Sequence, residues 1–145
     1  MLKKAIVIGL IAVIAYSYWH SHGAPTFRPI EVAQTTDTGA TEDAFRSHSS
    51  GVMVTAEGSV ERVLSDDAQG SRHQRFILRL ASGQSILVAH NIDLASRVPV
   101  EVGSRLKLRG EYEWNEKGGI VHWTHKDPEH KHEAGWIETG GRRYE

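Results

Sequence analysis

From Gly51 to the C-terminus, apolar and polar residues alternate in short runs separated by turn residues. The stretch "SRLKLRGEYEWN" (104–115) shows this most cleanly. Leu106, Leu108, Tyr112 and Trp114 fall on one side, and Arg105, Lys107, Arg109, Glu111 and Glu113 fall on the other. A period of two with one apolar side is a half-buried strand. The same alternation predicts a strand over 52–64, with Val52, Val54, Ala56, Gly58 and Val60 together. Another is predicted over 73–81, where Phe76, Leu78 and Leu80 oppose Arg75 and Arg79, and a third over 85–91. "SDDAQGS" (65–71) and "SGQ" (82–84) divide these three. "NEKGG" (115–119) turns the fourth strand back into a fifth, "IVHWTH" (120–125). Only "NIDLASRVPVEVG" (91–103) lacks alternation. It is expected to hold a turn or two of helix, ended by Pro99.

Three strands, a short irregular or helical connection and two more strands is the order of an OB-like five-stranded barrel. The rival architecture is another small barrel or sandwich. The tail "GWIETGGRRYE" offers an extra C-terminal hairpin turned at Gly140 and Gly141. The fold class expected is therefore mostly β, a small OB-like barrel behind an N-terminal hydrophobic helix. Residues 51–145 are long enough to bury a modest core.

The first residues follow another pattern. Lys3 and Lys4 precede an uncharged apolar run from Ala5 to Trp19, the layout of a secretory signal. No good small-x-small cleavage site follows, so residues 1–24 read as an uncleaved signal anchor in preference to a removed signal peptide. Residues 25–50, rich in Ser, Thr, Gly and Pro, read as a flexible tether. One short helix is expected there, with Thr41 capping "EDAFRSH". Retained lysines place the C-terminal domain outside the cytoplasm. The expected location is the bacterial periplasm, anchored to the inner membrane through residues 5–19, or free in the periplasm if the segment is cut.

The chain has a formal net charge of −1 and no cysteine. Disulfides, thiolate chemistry and Cys-based zinc sites are excluded. A nucleic-acid partner is not expected, because non-specific binders carry a basic surplus.

The blocks "SDDAQGSRHQRFI", "AHNIDLASRVP", "GEYEWNEKGGIVHWTHKDP" and "GWIETGGRRYE" together resemble a bacterial family of small exported proteins known only as a domain of unknown function. The likeness covers residues 51–145. It implies the compartment and the domain limits, and it carries no site residues.

Four of the nine histidines lie between His122 and His132. Were 119–125 one strand, His122 and His125 would point to opposite faces. His125 with Asp127, or His130 with His132, would share a face if extended. With His90, one such pair makes a candidate site of three or four ligands, drawn from His90, His125, Asp127, His130 and His132, for a divalent transition metal such as zinc. The competing reading makes His122 a satisfied barrel-wall residue and leaves His130 and His132 in a solvated loop. A metal-dependent hydrolase would add Glu111 or Glu113 as base. No G-x-S-x-G, H-E-x-x-H or P-loop is present, so the catalytic residues are unknown. A metal- or haem-handling role is a further alternative, by analogy of fold alone.

Asp66, Asp67 and Gly70 lack the spacing of a calcium loop and read as an ordinary turn. Arg72, His73 and Arg75 are candidates for binding an anionic group. His90, Asn91 and Asp93 follow an apolar strand, where barrels often collect function on loops. Capping of a local turn by Asn91 or Asp93 explains them equally well. Trp123 and Trp136 are candidate platforms for sugar rings or bases. The expectation is a non-catalytic binding module with no cofactor, meeting an envelope protein or glycan through Arg72, His73, Arg75, His90, Asn91, Asp93, Trp123 and Trp136. A His/carboxylate metal protein is the alternative.

Overall fold

The computed structural model describes residues 39–145. The expected anchor over 1–24, its membrane contact through residues 5–19 and the first part of the expected tether lie outside them. Among the described residues, no helix is long and apolar enough to cross a membrane.

The chain enters through a short helix, α1 (Gly39–Arg46), and continues as seven strands. These are β1 (Val52–Val63), β2 (His73–Leu80), β3 (Ser85–Asn91), β4 (Arg105–Glu113), β5 (Ile120–His122), β6 (Trp136–Thr139) and β7 (Arg142–Tyr144). β1, β2 and β3 form an antiparallel meander, β3 pairs in parallel with β5, and β5 pairs antiparallel with β4. β4 then pairs with β1 from Val52 to Ser59, which closes the ring. The result is the OB-like five-stranded barrel. The extra hairpin is β6–β7, which extends the sheet from β4.

One strand must serve two neighbours for this closure. β1 pairs with β4 through Ser59 and with β2 from Gly58 onward, so Gly58 faces both Leu106 and Leu80. A Cβ at Gly58 would lie 2.2 Å from the Arg79 carbonyl oxygen. Glycine permits that close crossing, and a register shift between Val60 and Arg62 bends the strand onward.

The alternation read from the chain becomes the core. Val54, Ala56, Val60, Phe76, Leu78, Ile86, Val88, Leu108, Tyr112, Val121 and Ile137 are all essentially inaccessible. Burying such side chains stabilises the fold by about 1.5–3 kcal/mol for each Val, Leu, Ile or Phe.

Three local expectations are corrected. Residues 91–103 contain no helix: one turn closes from the Ala95 N–H to the Asn91 carbonyl, another lies at 102–103, and the segment between them is irregular. Val98 is buried there and draws the segment onto the barrel, which overrides a weak helical preference. β5 stops at His122, because Trp123 takes a positive φ of 53° that leaves the extended region. Thr41 lies inside α1 and is buried, so it does not cap the helix.

Candidate functional site

Outward positions on β2, β3, β5 and β4 form a small grid fixed by strand register. Ile77 faces Leu87, Leu87 faces Ile120, and Ile120 faces Glu113. One row along, Arg75 faces Ala89, and His122 faces Glu111. His73 and Asn91 begin the next row. A cleft of about 320 Å³ opens over this grid, lined by Asp67, His73, Arg75, Ala89, Glu113, Ile120 and His122.

Within the grid, His122 is the unusual residue. Its Nε2 is buried and, among the described residues, has no hydrogen-bond partner. It lies 3.7 Å from a Glu111 carboxylate oxygen and 3.9 Å from one of Glu113. The reading of His122 as a satisfied barrel-wall residue is therefore corrected. Burial pushes its proton affinity down, and the two glutamates oppose that shift. Among the described residues, neither Glu111 nor Glu113 has a Lys or Arg within ion-pairing distance. Ligand atoms of Glu111, Glu113 and His122 all lie within 4.8 Å of one another. An imidazole nitrogen without a hydrogen-bond partner beside two glutamate side chains is a donor set suited to a cation.

The other candidate residues have separate fates. His73 donates Nδ1–H to the Ser71 carbonyl at 2.8 Å. Arg75 donates Nε–H to the Ser65 carbonyl at 3.0 Å and still lines the cleft. Arg72 is held by Asp93, whose carboxylate also accepts the Arg72 backbone N–H, both at 2.8 Å. Those bonds keep the Asp93 carboxyl below the usual range. Asn91 accepts the N–H groups of Asp93 and Leu94, the local capping that the sequence offered as an alternative.

His90 is fully buried, with both ring nitrogens engaged. Nε2 donates to the Ser96 carbonyl at 3.1 Å, so Nδ1 must accept the Thr124 hydroxyl at 2.8 Å. Burial pushes its pKa down to about 4. Asp127 is equally committed: its carboxylate accepts the backbone N–H groups of Glu129, Lys131 and His132. These bonds hold its pKa low. His125 has Nδ1 on the Lys126 carbonyl at 2.7 Å. His132 stacks on Trp123, with ring centroids 4.0 Å apart, and His130 sits in a turn with a positive φ. His90, His125, Asp127, His130 and His132 are not gathered into a set with ligand atoms within 4.8 Å. Trp136 lies under the Arg143 guanidinium, 4.3 Å from its ring centroid. Asp66 pairs with Arg97, and Asp67 accepts the Gln69 N–H, as an ordinary turn requires.

The structure therefore joins His73 and Arg75 with Glu113 and with His122, which the sequence reading set aside. A signal for His122 was present. A hairpin turned at 115–119 sets it opposite Glu111, on the outward parity of Glu111 and Glu113.

The chain belongs to the family described as a protein of unknown function (DUF3465), which matches residues 28–145. No curated protein matches the chain.

Proposed function

We propose that this protein is a non-catalytic binding module of the bacterial envelope, tethered to the inner membrane through residues 5–19. Its receiving surface is the outer face of β2, β3 and β5 with the end of β4. One observation carries this reading: the cleft with His73, Arg75, Glu113 and His122 sits beside the half-exposed apolar row Ile77, Leu87 and Ile120. That combination of apolar contact and a few convergent polar groups is the composition of a ligand site. OB-type barrels also bind on the face of strands two and three. The partner is an envelope protein or glycan. The near-neutral chain disfavours nucleic acid.

Photo-crosslinking in intact cells tests the reading with the full chain. A crosslinker at Leu87 on the receiving face is compared with one at Glu57 on β1. A discrete envelope adduct is expected from Leu87, lost on Arg75→Glu, and absent from Glu57. No adduct at Leu87, or equal labelling from both positions, overturns the assignment of this face.

A further inference from the structure

Two residues that line the cleft, Glu113 and His122, form a cluster with a third side chain beside it, Glu111, on two paired strands. Glu111 and Glu113 are two residues apart on β4, so both point outward. His122 on β5 lies directly across from Glu111. We propose that Glu111, Glu113 and His122 hold a divalent first-row transition metal, for which zinc is the practical probe. This rests on the cleft being the receiving surface and names the chemistry of what it receives.

Donor spacing is close to what an ion needs. Ligand bonds of about 2.1 Å in a tetrahedral site put neighbouring donors about 3.4 Å apart. The imidazole nitrogen stands 3.7 and 3.9 Å from the two carboxylate oxygens, so small side-chain rotations complete the geometry. An ordinary His–Glu ion pair explains the cluster less well. Those distances exceed a hydrogen bond, and among the described residues Nε2 has no partner although it is buried. Two carboxylates with no Lys or Arg beside them among the described residues also want a positive charge. One imidazole and two carboxylates without sulfur suit zinc, manganese, cobalt or ferrous iron better than a soft ion. Three protein ligands leave positions open for further donors, and Arg75 lines the cleft shared with Glu113 and His122, where it would attract an anionic group that completes the shell. The His73 side chain lines the same cleft, with its ring oriented by the Ser71 carbonyl.

The test measures zinc bound to the untagged full chain in detergent by equilibrium dialysis and elemental mass spectrometry, alongside thermal unfolding with zinc and with chelator. His122→Gln, the pair Glu111→Gln/Glu113→Gln and the pair His130→Ala/His132→Ala are run beside it, and each must unfold cooperatively in chelator. About one equivalent of zinc is expected, with a higher unfolding temperature. Affinity should fall at least about tenfold in the first two variants and stay unchanged in the third. No uptake, uptake unaffected by the first two variants, or loss only in the His130/His132 variant overturns the site. Absent zinc binding with the Leu87 crosslink intact overturns the metal and leaves the receiving face standing. Zinc binding without that crosslink supports the metal site and removes the partner-binding reading.

Discussion

Gln74 grips the backbone of Val98 with both ends of its amide: Nε2 donates to the Val98 carbonyl at 2.7 Å, and Oε1 accepts the Val98 N–H at 2.9 Å. Both residues are buried. The side chain imitates a strand partner and pins the β3–β4 connection onto the barrel, where Val98 seals the core. The Val100 N–H also reaches the Val98 carbonyl at 3.0 Å, bending the chain at Pro99.

Gln74→Leu keeps the volume and removes the grip. The Val98 carbonyl retains Val100, but the Val98 N–H is left buried and unpaired. The expected loss is about 2–3 kcal/mol. It is read from urea unfolding, and faster amide exchange over 95–101 should accompany it. A loss under about 0.5 kcal/mol would show that the connection is held by Val98 packing alone.

The buried histidine sets an acid limit on stability. His90 is depressed to about 4 from an ordinary 6.5, so the unfolded chain takes the proton first as pH falls. Its contribution is complete above pH 6.5 and declines from there toward pH 4. The difference is worth about 3 kcal/mol. His90→Gln should flatten the urea midpoint between pH 6.5 and 4.5 relative to the native chain. Some slope should persist, because the proton affinity of His122 is lowered as well. An unchanged slope in the variant would assign acid sensitivity elsewhere.

At the β4–β5 turn, Gly119 has φ 96°, and a Cβ there would lie 2.2 Å from the Tyr112 ring. Tyr112 is buried and donates its hydroxyl to the Gly118 carbonyl at 2.9 Å. Gly119→Ala therefore combines backbone strain with a clash, and should cost more than about 3 kcal/mol. Gly140 also has a positive φ, but open space surrounds its Cβ position. Gly140→Ala should cost about 1 kcal/mol. Thermal unfolding of the two variants side by side reads the contrast.

The carboxylates of Glu111 and Glu113 repel one another when no cation lies between them. In chelator, Glu113→Gln is expected to raise the unfolding temperature by about 1–4 °C, from a few tenths of a kcal/mol of relieved repulsion. Zinc should reverse the order and stabilise the native chain more. A variant less stable than the native chain in chelator would mean that Glu113 makes a favourable contact in the metal-free state.

The sequence by itself determined which side of each long strand is buried. Leu106, Leu108 and Tyr112 alternate with charged neighbours, and such a strand has one low-energy way to face a core. It also determined the hairpin at Gly140 and Gly141, because glycines tolerate the positive φ that the turn needs. Short, locally specified features are legible in this way. The tertiary structure alone decided where the five strands close and what the polar residues then meet. Parallel pairing of β3 with β5 set Leu87 beside Ile120. That pairing spans more than thirty residues of chain, and no local pattern encodes it. Asp127 and His90 looked like ligands because their residue types bind metals. Folding assigned their polar atoms to the backbone and to Thr124. His122 looked ordinary, and among the described residues folding left its nitrogen without a hydrogen bond, beside two carboxylates that no Lys or Arg pairs. Residue type limits what a side chain is able to do; the contacts that close around it decide what remains available.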